Sequence, residues 1–151
     1  MKITSKGRYA VLAMVDIAKF GEDTPCNLSH VSVRQNISLS YLEQIFNDLK
    51  RANLVKSQKG PGGGYKLNKE STEIRILDIF NAIDEQIKTT GCGNDPKSSC
   101  SGTGKKCLTH NFWENLEGVI GNYLIMEFIS ASINLAILLV LVISVPSGYS
   151  T

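Results

Sequence analysis

The fold class predicted by this 151-residue sequence is mainly α with a small β-hairpin wing: a winged helix-turn-helix followed by a long C-terminal dimerisation helix. Three observations predict it. Helical periods, a tight turn and a further helical period follow one another through the first third of the chain. A glycine-tipped pair of strands comes next, at Gly60–Gly64. Much later, a single apolar helical face appears when little chain is left to cover it.

A first helix runs from about Lys6 to Phe20, with Ser5 as its cap. Tyr9, Leu12, Ala13 and Ile17, with Val11 and Met14 beside them, form its apolar side. Gly21-Glu22-Asp23-Thr24-Pro25 breaks it, and a short second helix spans roughly Ser29 to Gln35 with Val31 inward. Asn36-Ile37-Ser38 turns the chain into a third helix, from about Leu39 to Ala52. Leu42, Ile45, Phe46 and Leu49 recur at i, i+3, i+4 and i+7, which is one buried stripe. Ser40 and Glu43 have the spacing of a capping box, and Asn53 is the stop.

Leu54–Gln58 and Tyr65–Leu67 read as two strands joined through the glycine-rich tip. Ile76, Ile79, Phe80 and Ile83 continue a helical period that packs back on this domain. Residues 89–106 are polar and rich in Gly, Ser and Lys, a length that marks a functional or disordered loop. A last helix begins near Leu108, with Phe112, Leu116, Val119, Ile120 and Tyr123 on one face. Pairing with a second copy is the natural use of that face, and gives the two-fold symmetry that paired DNA half-sites require.

The charge is unevenly placed. Residues 1–69 hold 11 Lys and Arg against 5 Asp and Glu, whereas residues 70–151 hold 5 against 9. A basic first half beside a mildly acidic second half fits nucleic-acid binding at one end; ordinary solvated surface is the plainer reading of the same numbers. Met1–Lys6 lacks the apolar core of a signal peptide, so the cytoplasm is the expected compartment. Clustered cysteines there read as metal or redox ligands rather than as a disulfide framework.

The third helix has a wet face of Tyr41, Glu43, Gln44, Asn47 and Arg51, with Ser38 and Ser40 at its beginning. Gln44 can bond adenine at two points and Glu43 can accept from the cytosine amino group. Ser38, Ser40 and Tyr41 suit phosphate oxygens beside the helix N-terminus. For any one of them a merely solvated position is an equal alternative. At the hairpin, Gly62 and Gly63 allow close backbone approach and positive φ, and Lys59 at the base favours the negative potential of a minor groove. A nucleotide phosphate loop is excluded, because no Gly-Lys-Ser/Thr follows and a strand rather than a helix comes next.

Cys92-x7-Cys100-x6-Cys107-x2-His110 places three thiols and one imidazole within nineteen residues, enough for one four-ligand metal centre. Thiolates and histidine suit iron–sulfur clusters and zinc alike. Structural zinc sites usually begin with a tight Cys-x(2–4)-Cys knuckle, which is lacking, so the wide spacing fits a two-iron centre better. Zinc, or no metal at all, is the alternative. Cys26 and His30 stand outside the set and read as packing or surface residues.

Four stretches together resemble a known family: Thr4-Ser-Lys-Gly-Arg-Tyr-Ala10, Ile37-Ser-Leu-Ser-Tyr-Leu-Glu-Gln44, Gly60-Pro-Gly-Gly-Gly-Tyr65 and Cys107-Leu-Thr-His110. They are similar to the iron–sulfur cluster regulator (IscR) family of bacterial winged-helix dimers, and the similarity runs from Met1 to about Tyr123. The resemblance implies sequence-specific binding of double-stranded DNA, with Ser38, Ser40, Tyr41, Glu43, Gln44 and Lys59 at the contact surface. It also implies a [2Fe–2S] centre on Cys92, Cys100, Cys107 and His110, although the family's loop is usually shorter between its cysteines. Lys59 stands where the best-known members carry arginine; it keeps the charge and loses the bidentate fork.

Phe128–Val145 holds eighteen residues without a charge, including Leu135-Ala-Ile-Leu-Leu-Val-Leu-Val-Ile143, and the family does not usually end this way. A membrane anchor, an extension of the dimer interface, and an atypical end from a shifted reading frame are the three readings. The anchor is not favoured, because Ser130, Ser132 and Asn134 interrupt the segment and no nearby Lys or Arg sets an orientation.

The expected organisation is therefore a winged helix-turn-helix at 1–88, a cysteine-rich cluster-binding loop at 89–110, a dimerisation helix at 111–127 and an apolar tail at 128–151. The expected function is a homodimeric transcriptional regulator that senses iron–sulfur or redox status and is not an enzyme. The alternatives are a regulator without the cluster, a thiol- or metal-dependent oxidoreductase, and a membrane-tethered interaction module.

Overall fold

A computed structural model describes residues 4–21, 23–87 and 107–133. Among them the elements follow in the order α1 (Ser5–Phe20), α2 (Leu28–Gln35), α3 (Leu39–Arg51), β1 (Val55–Gln58), β2 (Gly64–Leu67), α4 (Ile76–Ala82) and α5 (His110–Met126), with residues 129–133 again helical.

α1 is capped by Thr4 rather than Ser5: Thr4 Oγ1 accepts from the Gly7 amide at 3.3 Å. Ala10, Ala13, Met14 and Ile17 are buried at the spacing of one helical face, while Leu12, expected inward, is 39% exposed. Gly21 ends the helix. Its amide donates to Ile17 O at 2.8 Å, and a Cβ there would lie 2.6 Å from that same oxygen. α2 starts one residue before the expected position, because Asn27 Oδ1 accepts from the Ser29 amide at 2.9 Å. Asn36 then takes the left-handed conformation that lets α2 stop and α3 begin.

α3 carries the core. Leu42, Ile45, Phe46 and Leu49 are fully buried, each worth roughly 1.5–3 kcal/mol of transfer free energy. The capping box expected from Ser40 and Glu43 does not form: Ser38 occupies the cap position, and no side chain caps the helix. The helix ends at a left-handed Asn53 (φ 58°), and the Leu54 amide reaches back to Leu49 O at 3.0 Å.

β1 and β2 pair antiparallel from Val55 opposite Leu67 to Gln58 opposite Gly64. Cys26 bridges Tyr65 through two backbone hydrogen bonds of 2.9 and 2.8 Å, which fastens the wing to the segment before α2. Tyr65 also meets Phe46 edge-on at 4.9 Å between ring centroids, joining the hairpin to α3. Cys26 is buried, as expected of a packing residue, and His30 is exposed.

Below this layer α4 packs on α1 through Ile76, Ile79 and Phe80. After α5 the chain returns to the start of α4: Ile76 N donates to Glu127 O (2.9 Å) and Ile129 N donates to Ile74 O (3.1 Å). Ile129 is fully buried there. The rest of the apolar stretch, residues 134–145, lies outside the described residues, as do Cys92 and Cys100. Among the described residues, no helix is long and apolar enough to cross a membrane.

One polar contact locks α3 against α1. Lys6 Nζ donates to Asp48 Oδ2 at 2.8 Å, and Arg51 pairs with the other carboxylate oxygen. The Lys6 hydrogen bond, ahead of that from Arg51, holds the Asp48 carboxyl below its ordinary range despite partial burial. Its contribution is therefore complete above the unfolded carboxylate range, near pH 4, and disappears as pH falls through the lower folded value. Asp48→Asn is expected to cost about 1–2 kcal/mol at pH 7, kept modest because Lys6 is partly exposed. Denaturant titrations at pH 7 and pH 2.5 check this; a difference from wild type that does not shrink at the lower pH contradicts the assignment.

Candidate nucleic-acid interface and metal-ligand pair

Two pieces of backbone converge on one surface. Ser38, Ser40, Glu43 and Gln44 are exposed at the N-terminal end of α3, and Lys59 and Gly62 are exposed on the wing. Leu39 and Glu43 of α3 line the same open hollow as Ser57, Gln58, Gly60 and Gly63 of the wing. The hollow is thus a cleft between helix and hairpin, bounded on the helix side by Glu43, one of the two residues expected to read bases. The uncapped start of α3 leaves the Ser38 hydroxyl and the first helical amides free of a side-chain partner, a disposition suited to an anion.

Tyr41 differs from its neighbours. It is half-buried and meets Tyr9 of α1 edge-on, with ring centroids 5.9 Å apart, while the Arg8 guanidinium lies 6.0 Å from the Tyr9 ring. Packing against Tyr9 restrains its ring. The wing glycines also divide by role. Among them only Gly60 has positive φ (116°). A Cβ at Gly63 would collide with Gln58 O at 2.5 Å, so glycine there serves the turn, in which the Gly63 amide donates to Gly60 O. At Gly62 a Cβ would meet nothing within 4 Å. The fold itself therefore places no steric demand for glycine at 62.

Sequence reasoning missed the hydrogen-bonded support beneath this surface. Asp16 is buried in α1 and receives Arg34 Nε (3.0 Å), Arg34 Nη2 (2.5 Å) and Gln35 Nε2 (2.6 Å) from the end of α2. Arg34 Nη2 also donates to Cys26 Sγ at 3.0 Å, and its guanidinium lies over Phe20 at 4.7 Å. Asp16, chiefly through these hydrogen bonds, pushes the guanidinium still further toward its charged form. A lone acid on the apolar side of a predicted helix was the available signal.

Of the four expected metal ligands, Cys107 and His110 are described. His110 opens α5, and its amide donates to Cys107 O at 3.1 Å, so both side chains leave from a single turn. Cys107 is a free, partly exposed thiol whose Sγ lies 3.6 Å from Thr109 Oγ1. His110 Nε2 lies 3.8 Å from Glu114 Oε2, beyond hydrogen-bond distance. A thiol and an imidazole so placed fit a centre that takes soft and borderline donors. Among the described residues no three His, Cys, Asp or Glu side chains gather as a complete metal site.

The sequence profile of Rrf2, an iron-dependent transcriptional regulator family, matches residues 3–127. The chain belongs to the Rrf2 family. Within it, the HTH-type transcriptional regulator IscR of Vibrio atlanticus is 47% identical over 124 residues, covering 82% of this chain and 70% of the relative. IscR of Serratia proteamaculans is 44% identical over 134 residues, covering 86% and 80% respectively. The fold is similar to that of CymR, the global cysteine regulator of B. subtilis (TM-score 0.75, 27% identity, 89% of this chain and 97% of that one). It is also similar to T. potens IscR (TM-score 0.73, 29% identity, 90% and 88%). This Rrf2 member is a winged-helix transcriptional regulator of the IscR type, and the oxidoreductase reading falls with that placement.

Proposed function

We propose that this regulator is a homodimer that binds double-stranded DNA sequence-specifically in the cytoplasm and responds to iron–sulfur or redox status through a [2Fe–2S] cluster. The observation that carries the reading is the shared cleft, where Glu43 of the recognition helix and Gly63 of the wing face one hollow. A major-groove helix and a minor-groove wing then engage the same duplex. Gln44 and Glu43 read base edges; Ser38, Ser40 and the Tyr41 hydroxyl hold phosphates; Lys59, Gly62 and Gly63 follow the backbone into the minor groove. Dimerisation is supported by α5, in which no residue is fully buried within the chain although Leu124 packs against the core, and which leaves Phe112, Val119 and Tyr123 more than 60% exposed.

Cys92, Cys100, Cys107 and His110 would hold the cluster. When bound it supplies one-electron redox chemistry and a labile response to iron supply. The role of Cys107 and His110 is to present their donors from one rigid turn, so that a change at the site is delivered to the start of α5. Support comes from the free thiol at Cys107 and from the IscR relatives.

Purification without oxygen, with visible absorption and analysis for iron, sulfide and zinc, tests the sensor. Two irons and two sulfides per chain, lost in Cys92→Ala, are the expected result; zinc, or a metal-free folded dimer, removes the cluster from this reading. The DNA-reading assignment is tested separately with Gln44→Ala. That variant is expected to lose roughly 1–3 kcal/mol of discrimination at one base pair per half-site. An equal loss of affinity on every sequence would show that Gln44 does not read a base.

A further inference from the structure

We propose that Lys6 is a positioning residue that ties the root of the cysteine-bearing loop to the recognition helix, so that a change at the loop reaches the DNA-reading surface. This rests on the metal-responsive reading above and adds the side chain that carries the response.

Lys6 Nζ makes two contacts at once. It donates to Asp48 Oδ2 of α3 at 2.8 Å and to the Ile83 carbonyl at the end of α4 at 3.0 Å. Beyond Ile83 the chain leaves α4 through Asp84, at φ 57°, a left-handed conformation rarely taken by side chains other than asparagine and aspartate. It then continues toward Cys92. Thr4 grips the same root from the neighbouring position: its amide and hydroxyl donate to the two Glu85 carboxylate oxygens at 2.9 and 2.6 Å. The first turn of α1 therefore holds residues 83–85 at two points and α3 at a third.

The connection crosses an open gap. Lys6, Asp48, Arg51, Asn81 and Asp84 line a hollow of about 520 Å³ between the ends of α3 and α4. Across this gap the lysine is the side chain bonded to both walls. The lowered Asp48 carboxyl keeps the pair ionised near neutral pH. Ser40–Gln44 lie four to eight residues before Asp48 on the same 13-residue helix, about 6–12 Å away at 1.5 Å per residue, so a tilt at Asp48 is carried to them by one stiff element. Coupling between sites requires an element that both sites bias, and α3 held through Lys6 meets that requirement.

The test uses the full chain as wild type, Lys6→Met, Asp48→Asn and the double variant. Methionine keeps an unbranched apolar stem and removes the ammonium. In metal-free protein, hydrogen exchange is read at the Asp84 and Glu85 amides, which donate to Asn81 O and Phe80 O. Asp48→Asn changes a residue of α3 that bonds Lys6 and makes no hydrogen bond to residues 83–85. It is expected to speed exchange at those two amides several-fold in the wild-type background and to add nothing in Lys6→Met. Unchanged amides in Asp48→Asn, or equal acceleration with and without Lys6, would overturn the relay.

A second arm measures affinity for a duplex selected from a random pool by the wild-type protein, before and after loading with ferrous iron and sulfide. Allosteric couplings commonly amount to roughly 5–150-fold. Lys6→Met is expected to bring the loaded-to-unloaded ratio to within about twofold, whereas a purely structural role would lower both affinities and leave the ratio intact. A full ratio in Lys6→Met overturns the relay while the cluster stands. No ratio in wild type removes the cluster response, and the exchange cycle then decides the relay by itself.

Discussion

Asp16→Ala is expected to cost this fold about 1–3 kcal/mol, the range for losing charge-assisted hydrogen bonds to a buried carboxylate whose partner Arg34 is itself partly exposed. The Asp16 side chain is fully buried and accepts three hydrogen bonds, two from Arg34 and one from Gln35. Alanine leaves the guanidinium, stacked over Phe20, without its carboxylate, and leaves Gln35 without an acceptor. Against a whole-domain stability of about 5–15 kcal/mol this is a large fraction. Urea titration of the full chain measures it as a fall in midpoint. A loss below about 0.5 kcal/mol would show that water or a neighbouring group takes over from Asp16. The paired change Asp16→Leu with Arg34→Met is expected to recover part of the loss, because leucine refills the buried site and methionine removes the donor that lost its acceptor. Thermal loss should be felt at the wing as well, since Arg34 also donates to Cys26, whose backbone holds Tyr65.

That network marks where the sequence stopped being legible. The α3 stripe Leu42, Ile45, Phe46 and Leu49 was readable because apolar burial is periodic, and all four are fully buried. The hairpin was readable because the glycine tip interrupts two short strand-like runs. Asp16 was not, because its partners Arg34 and Gln35 lie 18 and 19 residues away and meet it only once α1 and α2 pack. Caps were misassigned by one residue at α1 because Thr4 and Ser5 are both good capping residues, and geometry alone chooses between them. At α3 the serine–glutamate spacing suggested a capping box, yet the helix begins at Leu39, which puts Ser40 inside it. The candidate contact residues were visible as residue types; that Tyr41 is pinned against Tyr9, and that Leu39 and Glu43 share a hollow with the wing, required the fold. Of the four candidate ligands, Cys107 and His110 share the turn that opens α5, and Cys92 and Cys100 lie outside the described residues.

The glycines of the wing separate architecture from recognition in a single experiment. Gly64→Ala is expected to destabilise the protein by about 1–3 kcal/mol or more, the range for forcing extra atoms into packed structure. Its Cβ would lie 2.5 Å from Cys26 O, 2.6 Å from Cys26 C and 3.0 Å from Asn27 N, all of them backbone atoms that no rotamer change can clear. The two hydrogen bonds between Cys26 and Tyr65 must lengthen, and the Tyr65 ring must then shift against Phe46. Gly62→Ala meets nothing within 4 Å, and Gly62 lacks a positive φ, so its stability should stay within about 0.5 kcal/mol of wild type. Binding to the selected duplex should nevertheless weaken about tenfold, roughly 1.4 kcal/mol, because the added methyl holds the wing backbone away from the groove. Melting curves and fluorescence anisotropy on both variants give the comparison. Unaltered DNA affinity in Gly62→Ala would place the wing tip outside the contact surface and leave recognition to α3 alone. Lost affinity in Gly64→Ala while the protein remains folded would instead show that the anchorage at Cys26, and not the tip alone, sets the angle at which the wing meets DNA.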